Sequence, residues 1–413
     1  MTTEHDERSL FRDPNLHVIF GVTLMAVLGV SSITPAFPQI AEALDLSPGA
    51  VGLLVAVFTL PGAALTPVLG VLGDRLGRKR VLIPSLVLFA VAGTACGFAR
   101  DFHLLLQLRL LQGIGAAALG ALNITIVGDL YSGWKRATVM GYNASVLSVG
   151  TAVYPAVGGL LAMLGWFYPF FLPVLALPVA LMVLRRLDNP EPKSEQRLRD
   201  YLRNTLISIR SPRALGLFLA SLVIFIILYG AYLTFLPFLL QRSFDASPLL
   251  IGLLFSLTSI ATALTSFRLG RLARRFSERT LLRVGFVCYA LAMVAIPLAP
   301  SLIVLCVPIV LFGATNGISI PSLLTLLTRL APAEYRAVFM SVNAMVLRLG
   351  QTLGPVLAAL LLEYRGLAAV YYGSAVLALL TLAVTSLAIK PEALLADLEA
   401  VPLSKSGGKI ESP

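Results

Sequence analysis

Two arginines and one tight cluster of charges stand inside a chain that otherwise avoids charge. Arg109 lies about six residues inside an apolar run, which is roughly 9 Å deep at 1.5 Å per helical residue. Arg348 lies near the centre of another run and shares a helical face with Met345, Gln351 and Thr352. A cation at such depth is costly in lipid unless carbonyls or a carboxylate bond it. The cluster is "GVLGDRLGRKR", Gly70 to Arg80, where Asp74 and Arg78 are four residues apart. Arg78 has Asp74 or the more distant Asp129 as candidate partners. These residue types support charge pairing and the tuning of a protonation site, not covalent chemistry. No catalytic constellation or nucleotide-binding loop is present, which argues against an enzyme and against primary active transport. Cys96, Cys288 and Cys306 lie in apolar runs, and His5, His17 and His103 lack ligand spacing, so a metal site is not expected.

The elements that must position these residues are membrane helices. Of 413 residues, 57% are hydrophobic and 13% charged, too little charge for a soluble protein of this size. Val18–Ile33, Val51–Leu72 and Leu215–Leu240 are nearly uncharged, and such runs can cross about 30 Å of hydrocarbon. The alternating ten-residue strands of a β-barrel are absent. The fold class is an all-α membrane protein of twelve spans: 16–39, 48–72, 79–99, 103–128, 137–162, 167–187, 214–240, 248–269, 281–299, 302–328, 337–361 and 367–389. The N-terminal tail, 1–15, is polar and carries no cleavable signal. Six-helix bundles are expected at 16–187 and 214–389, with a linker at 188–213 and a tail at 390–413. Within the linker region, Glu195 to Ile209 reads either as an amphipathic surface helix or as a solvated connection.

Lys and Arg fix the expected orientation. With the N-terminus in the cytoplasm, the outer loops hold only Arg100, Arg242 and Arg365, as the positive-inside rule requires. The net charge of +11 is then a topological signal, and no nucleic-acid partner is expected. Both termini are expected on the cytoplasmic side of the membrane.

The chain also repeats itself at an offset of 200 residues. Ser47-Pro48, Gly52-Leu53-Leu54 and Gly113 recur as Ser247-Pro248, Gly252-Leu253-Leu254 and Gly313. Asn143-Ala144, Gly150 and Pro155 recur as Asn343-Ala344, Gly350 and Pro355. A duplicated six-helix unit keeps both copies in one orientation. The echo of the opening cluster is "GRLARRFSERT", Gly270 to Thr280. Three pairs invert their charge at this offset: Glu42/Arg242, Asp74/Arg274 and Asp129/Arg329. They either complement one another across the pseudo-two-fold axis or arise by chance. With Arg274 in place of Asp74, a latch is expected in one half only.

This layout resembles the major facilitator superfamily, over roughly residues 16 to 390. The match is carried by Gly70, Leu72, Asp74, Arg75, Gly77, Arg78 and Lys79, similar to the family's loop signature between its second and third helices. Gly70 and Gly73 would let that helix end approach a neighbour closely, and Gly77 would allow the reversing turn. The resemblance implies a gate latch of Gly70, Gly73, Asp74, Gly77, Arg78 and Asp129, with Asp74 facing the start of helix 11 near Ala337. "RLLQGIGAA", with Arg109, Gln112, Gly113 and Gly115, resembles a motif associated with proton-coupled members. Arg109 then either tunes a protonation site or ties helices 1 and 4 together. "GTAVYPAVGG" resembles the antiporter motif through Gly150, Pro155, Gly158 and Gly159, with Tyr154 replacing its second glycine.

In this architecture the cavity forms between helices 1, 4, 7 and 10. Polar and aromatic candidates for its lining are Ser31, Ser32, Asn123, Tyr229, Tyr232, Phe235, Asn316 and Ser319, with Arg348 from helix 11. Glu42 is the candidate proton carrier, with Arg109 and Gln112 as its modulators. No Asp or Glu falls mid-span, so Arg109 and Arg348 would make the cavity electropositive. The expected activity is secondary transport by alternating access, as proton-coupled efflux of hydrophobic or amphiphilic small molecules, with the proton gradient as energy source and no cofactor. Expected partners are the small-molecule substrate, protons and the lipid bilayer, and the expected working unit is a monomer. A carrier of organic anions or lipids using Arg348 is the alternative, and a transporter-like sensor or channel a more distant one.

Overall fold

The structure is a computed structural model that describes residues 10–11, 13–187, 212–331 and 336–388, with backbone only at 336–338 and 388. Glu195 to Ile209, and most of the linker, lie outside the described residues, as does the tail after 388.

Among the described residues, twelve helices are long and apolar enough to cross a membrane. They are α1 (Pro14–Ala43), α2 (Pro48–Leu76), α3 (Arg78–Cys96), α4 (Phe102–Leu130), α5 (Gly133–Ala162) and α6 (Tyr168–Arg186). The second half supplies α7 (Pro212–Phe244), α8 (Pro248–Ala273), α9 (Glu278–Leu298), α10 (Leu302–Leu330), α11 (Phe339–Arg365) and α12 (Leu367–Leu387). Each boundary falls within four residues of the limit expected from hydropathy. The helices mostly run longer than the apolar stretches, because backbone hydrogen bonding continues past the last apolar residue.

The repeat is visible in how helices start. Ser47 and Ser247 cap α2 and α8, accepting from the Ala50 and Leu250 amides at 3.2 and 3.3 Å, with a proline next in each case. That pairing satisfies an orphan amide and pre-sets the first helical φ. Asp101 and Ser301 cap α4 and α10 in the same way. Both repeats are also irregular in their first helix. α1 breaks at Ser32 into a short 3-10 turn at Thr34–Ala36, and α7 widens into a π-helical segment at Leu228–Phe235.

Within each half, α4 packs on α2 and α3, and α10 on α8 and α9. Between halves, α2 packs along α11, and α5 along α8. Exposed apolar side chains such as Phe267, Ile303 and Val307 face outward, as lipid-facing positions should. The spans alternate, so Arg75, Lys79, Arg80, Lys135, Arg136, Arg185, Arg271 and Arg274 gather at one end of the bundle, called here the basic end.

The two halves do not meet equally along their length. At the far end, a Cβ on Gly49 would touch Ala359 at 3.3 Å, and one on Gly52 would touch Thr234 and Pro355 at 3.3 and 3.5 Å. Contact continues to mid-span, where Thr59 and Thr352 are hydrogen-bonded at 3.0 Å and the Ser259 hydroxyl donates to the Thr151 carbonyl at 2.9 Å. Gly70, Gly141 and Gly270, nearer the basic end of α2, α5 and α8, have open space instead. The halves are joined at the far end and parted at the basic end.

Candidate functional site

The cluster after α2 forms a buried ion triad. Gly77 reverses the chain from α2 to α3 with φ +99°, a conformation that suits a residue without Cβ. The reversal brings Arg78, only 4% exposed, onto both Asp74 and Asp129; its Nε to Asp129 Oδ2 distance is 3.1 Å. Both partners expected for Arg78 are therefore used at once. Gly73 packs as expected, since a Cβ there would collide with Leu122 of α4. Gly70 does not: nothing lies within 4 Å of its Cβ position. Close packing at Gly70 is thus absent in this arrangement. The proposed contact of Asp74 with Ala337 cannot be described, as the Ala337 side chain lies outside the described residues.

The second half carries all three positions with every charge inverted, and two of the three residues pair. Arg274, Glu278 and Arg329 stand 200 residues after Asp74, Arg78 and Asp129, and Glu278 pairs with Arg329 at 2.9 Å. This corrects two expectations. The inverted pair Asp129/Arg329 does not meet across the pseudo-axis; each member pairs within its own half. The echo loop has also not lost its carboxylate, which occupies position 278 instead of 274. The Arg78/Glu278 inversion was readable at the same offset, and it is the signal that pairwise comparison passed over.

Burial separates the triad from the Glu278–Arg329 pair in energy. Removing one partner of a buried pair costs about 3–5 kcal/mol, whereas an exposed pair is worth about 0–1 kcal/mol, and Arg329 is 63% exposed. Arg78→Gln is therefore expected to lower the thermal unfolding midpoint by several degrees and to impair transport, while Arg329→Gln changes both little. Equal effects from the two substitutions would contradict this reading.

Arg109 is wholly buried and makes three hydrogen bonds through Nε and Nη1, while its Nη2 has no partner among the described residues. Nε donates to the Leu54 carbonyl at 3.2 Å, and Nη1 to the Gly29 carbonyl at 2.9 Å and to Gln112 Oε1 at 2.7 Å. Its guanidinium lies 4.1 Å from the centroid of the Phe58 ring. It thus ties α1, α2 and α4 together, one helix more than the sequence reading supposed. Gly113 and Gly115 make this possible, because a Cβ at either would strike backbone of Phe58 or Phe89. Glu42 is not part of the node. It is exposed at the far end of α1, and no described cation pairs with it.

The α5 motif is a double contact. A Cβ on Gly158 would strike the Ser32 carbonyl of α1, and one on Gly159 the Pro248 carbonyl of α8. Pro155 presents its own carbonyl to Gly252. Gly150 faces Leu24 and the Tyr154 ring, at 3.1 and 3.4 Å, so Tyr154 folds back over the space beside its own helix.

Several residues expected to line the cavity are instead consumed in packing. Asn123 donates to the Ile19 carbonyl and to Thr23, whose hydroxyl donates on to Asn143. Tyr232 bonds Thr258 and stacks on Phe312 with ring centroids 4.1 Å apart, and Phe235 is fully buried. Asn316 accepts from the Tyr289 hydroxyl at 2.6 Å, and Ser32 and Ser319 are buried. Sequence depth alone does not separate the cavity side of a helix from its packed side. Ser31, Tyr229 and Arg348 stay partly exposed.

The sequence matches the Major Facilitator Superfamily over residues 19–243 and again over 223–402. The chain belongs to that superfamily. It is 24% identical over 354 residues to multidrug resistance protein 2 of Bacillus subtilis, covering 84% of this chain and 88% of that protein. It is 27% identical over 352 residues to the class C tetracycline resistance protein of Escherichia coli, covering 83% and 88%. Among solved structures, the nucleoside transporter NupG superposes with a TM-score of 0.75 at 14% identity, covering 90% of this chain and 98% of that one. A bacterial homologue of the human lysosomal transporter Spinster, in an inward-facing and unoccupied conformation, gives 0.70 at 20% identity, covering 91% and 96%. The protein is a multi-pass membrane transporter of the facilitator fold, not an enzyme.

Proposed function

We propose that the chain exports hydrophobic and amphiphilic small molecules by proton-coupled alternating access. The observation that carries this reading is the pairing of joined far ends with parted basic ends. Two six-helix halves that meet at one end of their spans, through small residues, can rock to meet at the other. The excess of Lys and Arg supports assigning the basic end to the cytoplasm of a bacterial cell, with both termini on that side. Cargo then enters the gap from the cytoplasm or the inner leaflet. The multidrug and tetracycline resistance proteins that align with most of the chain support efflux as the direction. The working unit is a monomer, because one chain supplies both halves of the gap.

Antiport against protons rests on the α4 and α5 motifs. Every described Asp and Glu in the spans lies within about one turn of a helix end. The proton carrier is therefore an end-of-span carboxylate such as Asp74, Asp129 or Glu42. In proteoliposomes with an imposed pH gradient, a fluorescent hydrophobic dye is expected to move against its concentration gradient and to stop when a protonophore is added. Flux indifferent to the gradient, accompanied by ionic conductance, would replace this reading with a channel.

A further inference from the structure

The space between the halves contains a cation that no described carboxylate neutralises. Arg348 stands mid-span on α11 and reaches across to the other half. Its Cδ and Nε lie 3.1 and 3.3 Å from the Cβ position of Gly62 on α2, and its Nη2 3.9 Å from that of Gly120 on α4. Nη1 donates to Gln351 Oε1 at 3.2 Å. Tyr229, in the π-helical turn of α7, is its electrostatic neighbour. Helices from both halves thus converge on one guanidinium.

Two ordinary explanations for a mid-span arginine do not fit. Snorkelling would send the side chain along the helix toward an end, whereas this one crosses to α2 and α4. A structural tie would spread its donors over several helices, as Arg109 does with three hydrogen bonds to two carbonyls and Gln112. Of the five N–H donors a guanidinium carries, Arg348 places one on Gln351, and its side chain remains partly exposed. Gly62, with no Cβ, lets the side chain lie directly against α2. A π-helical turn at the same level is a frequent mark of a functional site.

We propose that Arg348 is the recognition residue for cargo, and that the cargo is an amphiphile bearing a carboxylate, sulfonate or phosphate. The anionic group takes a forked pair of hydrogen bonds from the guanidinium. The Tyr229 hydroxyl donates a further bond, and the apolar body lies along the helix faces that line the gap. Gln351 holds the guanidinium in register from one turn away. This proposal rests on the transport reading above and names the substrate class of its central site. It also has a kinetic consequence. Closing the basic end buries Arg348 further, so an empty carrier moves an unpaired charge into lower dielectric, whereas a loaded carrier moves a neutral pair. Anion on the far side should therefore accelerate release of anion from the near side.

The test is binding by the full chain, purified in detergent, of a fluorescent anthracene carboxylate, its methyl ester and its trimethylammonium analogue. The wild type is expected to bind the carboxylate about tenfold tighter than the ester, the ratio for one net charge-assisted bond. Arg348→Gln should make the two equal, Arg348→Lys should keep part of the preference, and Tyr229→Phe should weaken only the carboxylate. Competition by a short-chain phosphatidylglycerol, compared with naphthalene sulfonate, tells a lipid from a soluble anion, both within the proposed class. Ester or cation binding as tight as carboxylate in the wild type overturns the proposal, as does failure to bind any probe. So does an unchanged preference in Arg348→Gln. The two readings fail separately. Gradient-driven flux of the ester, unaffected by Arg348→Gln, leaves the transporter standing and removes the anion site. Carboxylate binding without flux of any probe removes the transporter and leaves the site.

Discussion

Arg109→Lys is expected to abolish most transport and to lower the thermal unfolding midpoint markedly, although it preserves the charge. The fork of Arg109 reaches Leu54 on α2, Gly29 on α1 and Gln112 on its own helix through two nitrogens that point in different directions. A lysine ammonium is a single point and cannot reach both carbonyls. The substitution loses about two hydrogen bonds of a charged group, at roughly 1.5–3 kcal/mol each, and the contact with Phe58, worth about 0.5–2 kcal/mol. The sum, about 3.5–8 kcal/mol, is comparable with the entire net stability of many proteins, roughly 5–15 kcal/mol. Arg109→Leu removes the same bonds but also removes the buried charge, so it is expected to be less destabilising than the lysine variant. Unfolding curves in detergent, with transport in proteoliposomes, check both. A lysine variant that unfolds and transports like the wild type would sink the three-helix tie. If instead the leucine variant folds and binds normally but loses only its response to the pH gradient, Arg109 acts on a protonation step.

Gly158→Val is expected to prevent assembly of the first half. Even an alanine Cβ at this position would run into the Ser32 carbonyl, and the collision is with backbone, which cannot rotate aside. On the adjoining face, Gly159 meets the Pro248 carbonyl of α8. α5 therefore has no free direction of retreat: moving off α1 presses it toward α8. Overpacking by one or two methyl groups costs typically about 1–3 kcal/mol, more where backbone must shift. The position of Ser32 sharpens the effect, since α1 breaks there into its 3-10 turn and has few alternative conformations. Gly158→Ala should give reduced yield of monodisperse protein, and Gly158→Val little or none. The internal control is Gly141→Ala on the same helix, which enters open space and should be silent. Comparable yields for the 141 and 158 variants would show that the α1–α5 contact is not tight.

Much of the architecture was legible from residue order. Long apolar runs can satisfy their backbone in lipid only as helices, which is why twelve spans could be located to within a turn. The 200-residue offset, the serine–proline starts of α2 and α8, and the basic end followed from the same string. The candidate cavity was less legible. Asn123, Tyr232 and Asn316 have polar atoms at the right depth, yet each is consumed by a partner on a neighbouring helix. Hydropathy reports depth along a span but not which azimuth faces a partner helix, and in a duplicated bundle of small-residue contacts the azimuth decides everything.

By itself, the sequence determined the number, order and direction of the helices, the duplication, and the places where a charge stands at unusual depth. Only the tertiary structure decided what those charges do. It placed Arg109 inside one half with three hydrogen bonds that tie helices together and Arg348 between the halves with one, although both are mid-run arginines with a glutamine three residues on. It also joined Asp74, Arg78 and Asp129 into one ion triad, and in the other half paired Glu278 with Arg329. The physical reason is that a buried charge takes its meaning from its partners, and partners from distant spans meet only when the helices pack.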